Sequence, residues 1–251
     1  MARPPLNHID GILLVDKAPD WTSHDVVNCV RRRFNLSKTG HCGTLDPLAT
    51  GLLVLLLGKA TKQQERLMSE DKVYAGTLRL GIETDSQDRT GKVTATADPS
   101  AVTEEQLRTA ASRFLGEQLQ TPPMVSALKK DGRPLYALAR QGKVVEREPR
   151  RVCISRFDLT RIALPEADFL VHCSKGTYIR TLCADLGQTL GCGAHMSELR
   201  RLGSGAFNVE NAASVEAIKA WTLDDLLQHV IPLEQLACLK SPGEHDACRR
   251  H

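Results

Sequence analysis

The chain has no apolar run able to cross a bilayer. Its longest, Leu52–Leu57, falls far short of the roughly 20 residues a spanning helix needs. The N-terminal stretch MARPPLNHID has no apolar core of the secretory kind, so no membrane is expected and a cytoplasmic setting is. No two cysteines form a C-x-x-C pair. The eight stand at 29, 42, 153, 173, 183, 192, 238 and 248, and a chain of 251 residues can bury a core without staples. All eight are expected as free thiols. Cys192-Gly-Ala-His195 has the spacing of two metal ligands, but a zinc site needs three or four that converge. No metal is expected. There is no Gly-X-Y period and no heptad, which excludes the fibrous classes.

Net charge is also scarce, at +3. Its distribution is uneven. Residues 121–161 hold ten basic side chains against four acidic ones, a net +6, so the rest of the chain carries −3. A local basic patch on a near-neutral body fits a polyanion partner, and it equally fits a solvated loop. Hydrophobic residues at 41% and charged ones at 25% are ordinary for a folded globular chain.

The pattern mixes strands and helices without strict alternation, so the expected class is α+β. Residues 11–16 predict a buried strand. Thr22 and Ser23 precede a helix with Val26, Val27, Val30 and Phe34 on one face, and Arg31–Arg33 sit near its end. Lys72–Leu80 predicts a strand with Tyr74, Gly76, Leu78 and Leu80 on one face. A polar loop at 83–91 leads to a returning strand at 92–97. Thr103 with Gln106 is a capping box for a helix that turns Leu107, Ala110, Ala111 and Phe114 inward. Residues 121–151 predict a long projecting loop with a short helix near 134–141. Strands at 152–160 and 169–175 precede a helix over 178–190, stopped by Gly191. Two short helices are expected near 214–221 and 223–230, then a frayed tail.

Three segments could carry chemistry. GLLVLLLGKA, residues 51–60, imitates a phosphate-binding loop, but six residues separate its glycines and Ala60 stands where a hydroxyl is required. Asp46-Pro47 has the form of a helix N-cap followed by proline in the first turn. A functional reading stands beside it. Gly40, Gly43 and Gly51 allow close backbone approach, and His41 and Asp46 share one irregular stretch. The third segment, Cys173–Arg180, crowds Lys175, Tyr178 and Arg180 at the start of a helix. A cation there opposes the helix dipole, and Arg180 could pair with a carboxylate such as Asp46 or with a phosphate.

GHCGTLDPLATG resembles the catalytic-aspartate motif of the TruB family of pseudouridine synthases. Five further segments resemble that family in order: GILLVDKAPDWTSHDVV, KVYAGTLRLGIETDSQDRTG, PPMVSALKKDGRPLYALARQG, CSKGTYIRTLCADLG and HMSELRRLGSGAF. The likeness runs from about residue 10 to 232.

The resemblance implies a pseudouridine synthase fold with a mixed, mainly antiparallel sheet. It implies a catalytic domain over residues 1–232, with an RNA-gripping thumb at about 121–151 and a tail at 233–251. Bacterial members usually continue into a small C-terminal RNA-binding module, and this chain stops near where that would begin. The implied reaction isomerises the uridine at position 55 of the tRNA T-loop, with no cofactor. Asp46 would be the nucleophile. Tyr74 would stack on the flipped uracil, Arg180 would pair with Asp46, and Tyr178 would line the pocket. Leu199 would pack on the base and Lys17 would support the pocket. His41 would fill the space left by the extruded nucleotide. Lys129, Lys130, Arg133, Arg140 and Lys143 of the thumb would grip RNA phosphates. The expected partner is the tRNA T-arm, bound by a monomer with no obligate protein partner. An RNA-binding folding factor, with catalysis secondary, is the competing reading.

Overall fold

The computed structural model describes residues 6–126, 128–130, 133–135, 141 and 145–236. In chain order the elements begin with β1 (Gly11–Lys17), α1 (Ser23–Arg33), β2 (Thr39–Cys42), β3 (Thr50–Leu57) and α2 (Gln64–Met68). Next come β4 (Lys72–Leu80), β5 (Ile82–Thr84), β6 (Val93–Thr96), α3 (Glu104–Ser112) and β7 (Gly116–Gln120). They are followed by β8 (Lys129–Lys130), β9 (Arg133–Pro134), β10 (Arg150–Ala163), β11 (Glu166–Cys173), α4 (Ile179–Thr189) and β12 (Ala194–Ser204). The remainder is β13 (Phe207–Asn208), β14 (Ala213–Ser214), α5 (Val215–Ala220), α6 (Leu223–His229) and α7 (Leu233–Leu236). The fold is α+β, as expected.

Two compact units emerge, residues 6–73 with 200–236, and residues 74–199. In the first, the strand order is β14-β1-β3-β12, with β2 also on β3. Pairing is mixed: β1 runs antiparallel to β3, while β14 on β1 and β12 on β3 are parallel. Apolar residues fill both faces of β1 and β3. Ile12, Leu14, Leu52, Val54 and Leu56 form one cluster with Phe207 and Leu236, and Leu13, Val15, Leu53 and Leu55 are buried as well. That is why residues 52–57 are a continuous apolar run rather than an alternating one. The phosphate-loop imitation is thus a core strand running into a 3-10 turn, Gly58–Gln63.

Helix α1 opens on the capping box of Thr22 and Asp25 and buries Val26, Val27 and Val30. Each such valine contributes roughly 1.5–3 kcal/mol. Its last turn carries Arg31–Arg33, where positive charge suits the dipole.

In the second unit the order is β4-β11-β10-β7, with β11 and β7 both antiparallel to β10. Helix α3 has the expected capping box and buries Leu107, Ala110 and Ala111. Phe114 lies beyond its end and is half-buried. Phe157 and Phe169 meet edge to face at 6.0 Å. Gly76 is required beside them, because a Cβ there would lie 2.5 Å from the Phe169 ring.

The predicted loop at 121–151 contains a short hairpin, Lys129–Lys130 against Arg133–Pro134. Of the helix expected at 134–141, Pro134 belongs to β9, Leu135 is helical and Gln141 lies in a turn, while residues 136–140 lie outside the described residues. Cys29, Cys42, Cys183 and Cys192 are free thiols. Cys153 is disulfide-bonded, so the free-thiol expectation does not hold there. Among the described residues no helix is long and apolar enough to span a membrane, and no group of three or more His, Cys, Asp or Glu is placed to hold a metal.

Candidate active site

Asp46 is not a helix N-cap. Residues 43–49 form an irregular connection between β2 and β3, with one turn closed by Ala49 N–H donating to Asp46 C=O at 3.0 Å. The two strands pair with each other, so the chain must reverse within seven residues and has no room for a helix. Asp46 itself caps no helix, and a buried side chain, Lys17, contributes to its electrostatic setting.

That setting follows from sheet register. Gly51 lies opposite Lys17 of β1 on one side and Arg201 of β12 on the other. Both cations are buried, at 0% and 1% exposure. Lys17 Nζ donates to the carbonyls of Ala18, Trp21 and Pro47 at 3.0, 2.7 and 3.2 Å. Arg201 donates from Nε to Leu52 C=O at 2.6 Å and from Nη2 to Gly43 C=O at 3.2 Å. The two cations therefore hold both ends of the loop that carries Asp46. Ser23 adds a third anchor, accepting from Leu45 N–H at 2.9 Å and donating to Leu45 C=O at 3.2 Å.

Two buried like charges across one glycine are costly unless an anion is near. Burial lowers the Lys17 ammonium to about 8; Asp46 opposes that shift, and Arg201 adds to it. His41, on β2, is lowered by burial first, then by Arg201 and His24, so its ring is neutral at pH 7. Cys42 is pushed up to about 11 by burial, which makes it a poor nucleophile despite its place beside His41. Lys17, His41 and Asp46 are thus brought together in the first unit.

In the second unit, Tyr178 and Arg180 stand at the start of α4. The Gln120 side chain clamps the Tyr178 backbone, donating to its C=O at 3.1 Å and accepting from its N–H at 2.8 Å. Arg180 is 3% exposed and donates to Ser86 C=O at 3.0 Å and Val125 C=O at 2.8 Å. Its Nη1 lies 3.6 Å from the buried Asp88 carboxylate. Asp88 is fixed in turn by Ser86 Oγ, Thr90 N–H and Thr90 Oγ1. A cation at a helix start is tolerated here because a carboxylate and two carbonyls compensate it. Tyr74 on β4 and Leu199 on β12 are both buried.

Lys129, Lys130 and Arg133 are strand residues of the hairpin, and Arg140 and Lys143 lie outside the described residues. The sequence reading gave no role to Arg201, Asp88 or Gln120. Arg201 had one available signal: in the Arg200-Arg201 pair, strand alternation must turn one of the two inward.

A family description, TruB family pseudouridylate synthase (N terminal domain), matches residues 31–179. The chain belongs to the TruB family. Residues 180–237 match the C-terminal domain of tRNA pseudouridylate synthase B. The tRNA pseudouridine synthase B of Opitutus terrae is 52% identical over 233 residues, 93% of this chain and 97% of that protein. Those of Syntrophotalea carbinolica and Burkholderia pseudomallei are 51% and 48% identical, over 86% and 94% of this chain and 71% and 77% of theirs. Among solved structures, one in a Cbf5-Nop10-Gar1 complex is 31% identical with a TM-score of 0.70. The match covers 90% of this TruB-family chain and 60% of that one. A chain of an archaeal box H/ACA Nop10-Cbf5 complex is 29% identical with a TM-score of 0.65, over 88% and 58%.

Proposed function

We propose that the chain isomerises uridine to pseudouridine at position 55 in the T-loop of tRNA, with Asp46 as nucleophile. The N1–C1′ bond breaks, a C5–C1′ bond forms, C5 gives up its proton and N1 gains one, so no atom is exchanged with a co-reactant. The single observation that carries the reading is the grip of Lys17 and Arg201 on the loop of Asp46. An anion placed among buried cations stays ionised and oriented, as a nucleophile requires. The relatives' shared name, tRNA pseudouridine synthase B, supports tRNA as the substrate.

The roles that the resemblance implies for Tyr74, Tyr178, Arg180 and Leu199 are kept in this proposal, as is His41 filling the space of the flipped nucleotide. Neutral His41 suits that task, since it enters a base stack without a charge to desolvate. Lys17 acts through the Pro47 carbonyl as a positioning residue. The hairpin lysines, with Arg133, Arg140 and Lys143, are assigned to RNA phosphates, in a cytoplasmic, monomeric enzyme. The test is pseudouridine mapping on a T-arm stem-loop RNA. Product at the T-loop uridine, and none when that uridine is changed to cytidine, is expected. Product at other uridines of the stem-loop, or none in a chain that binds the RNA, contradicts the assignment.

A further inference from the structure

Strand β7 ends at Gln120, and β10 opens at Arg150, its partner in register. Gln120 is buried there, at 4% exposure, although glutamine is mostly a surface residue. A buried amide needs partners for both its donor and its acceptor. Gln120 finds both on one residue. Its Nε2 donates to Tyr178 C=O at 3.1 Å, and its Oε1 accepts from Tyr178 N–H at 2.8 Å. The side chain thereby imitates the double exchange between paired strand residues.

Tyr178 is a conformational junction. It is the N-cap of α4, extended at φ −98° and ψ 107°, and its own side chain makes no capping hydrogen bond. In a capping box, the side chain three residues on would accept from its N–H. That residue is Thr181, and its hydroxyl donates to Gln87 Oε1 at 2.8 Å instead. Gln120 supplies the missing acceptor from another element. The Tyr178 C=O also accepts from Leu182 N–H at 3.1 Å, so the clamp bears directly on the first turn of α4. One bond would let the residue pivot. Two bonds from one planar amide, to the N–H before φ and the C=O after ψ, hold both torsions. They thereby hold the direction in which the Tyr178 side chain leaves the backbone. The support itself is stiff. Pro122 and Pro123, with φ locked, follow within three residues of Gln120, and Val125 C=O accepts from Arg180 Nη2 at 2.8 Å.

We propose that Gln120 is a positioning residue for the isomerisation, fixing the backbone of Tyr178 and so aiming that side chain at the uridine. This rests on the assignment of Tyr178 to the pocket made above. Gln120 acts through Tyr178.

The experiment is single-turnover pseudouridine formation in a T-arm stem-loop RNA, with enzyme in excess, by the full native chain, Gln120→Met and Gln120→Glu. RNA affinity and urea stability are measured alongside. Methionine keeps the length of the side chain and removes both bonds. Ionised glutamate keeps an acceptor for Tyr178 N–H but has no proton to give to its C=O. At saturating RNA the rate constant is expected to fall roughly 10²-fold in Gln120→Met, the cost of about 1 Å of misplacement. It falls in Gln120→Glu as well, and RNA affinity stays native in both. A residue that merely kept the chain folded would lower the active fraction and leave that rate constant alone. Should Gln120→Met fail to fold, Gln120→Glu decides the matter by the same comparison. A native rate constant in the folded variants, or weakened RNA binding with that rate constant intact, overturns the proposal. A native chain that binds the RNA and makes no pseudouridine defeats the function argued above. A native chain matched in rate by both variants defeats only the role of Gln120.

Discussion

Replacing Gly51 by alanine tests whether the sheet register builds the site. Gly51 has φ +95°, and an added Cβ would lie 2.3 Å from Arg201 C=O and 2.8 Å from Arg201 N. Both are backbone atoms of the neighbouring strand, so relief requires β3 and β12 to separate. Gly176 is the matched control. Its φ of +79° imposes similar backbone strain, but nothing lies within 4 Å of its would-be Cβ. Left-handed strain alone costs a non-glycine residue about 1–2 kcal/mol. Forced overpacking adds about 1–3 kcal/mol. Gly176→Ala is therefore expected to lose roughly 1–2 kcal/mol and Gly51→Ala roughly 2–5 kcal/mol. At this chain length each kcal/mol lowers Tm by about 2–4 °C. Urea titration gives the stabilities, and pseudouridine formation well below both transitions gives the activities. Gly51→Ala should also lose turnover, because its displacement moves the carbonyls through which Arg201 holds the Asp46 loop. A Gly51→Ala protein as stable and active as Gly176→Ala would refute the reasoning.

Lys17 predicts a pH effect on stability. Its folded value of about 8 lies below its ordinary 10.5, so between these pH values the unfolded chain holds a proton that the folded chain has shed. Raising pH through that window therefore favours the folded state, by up to about 3 kcal/mol relative to Lys17→Met in denaturant titrations. Asp88→Asn removes the carboxylate that lies 3.6 Å from the buried Arg180 and should cost about 1–3 kcal/mol, with loss of turnover, by the same two assays. Cys42, raised to about 11, should resist thiolate-selective reagents at pH 8 in the native protein and react on unfolding, as followed by mass spectrometry.

Local signals were legible where local chemistry decides. The capping box of α3, the start of α1 at Thr22 and Ser23 with its aliphatic face, and the alternation of β4 all read directly from residue type and spacing. The Asp46-Pro47 pair misled because N-cap chemistry is a local preference. Here the pairing of β2 with β3 left too short a connection for a helix. Strand β2 itself, Thr-Gly-His-Cys, is too short and too polar to show a period. Arg201 was marked only by the alternation of the Arg200-Arg201 pair, which does not say which of the two turns inward or against what. Its burial follows from parallel pairing between segments about 150 residues apart, and spacing along the chain does not reveal such a register. Asp88 lies in the polar loop read at 83–91, and nothing local marks it as the partner of Arg180, which lies 92 residues further on. The family resemblance, by contrast, ran through six ordered motifs, and it located Lys17, His41 and Asp46 on what proves to be one loop and its supports.

The most direct test of the central claim is single-turnover pseudouridine formation in a T-arm stem-loop RNA by this chain and by Asp46→Asn, with RNA affinity measured alongside. The account predicts product with the native chain, none with the variant, and similar affinity for both. Product formed by Asp46→Asn at a comparable rate would contradict it.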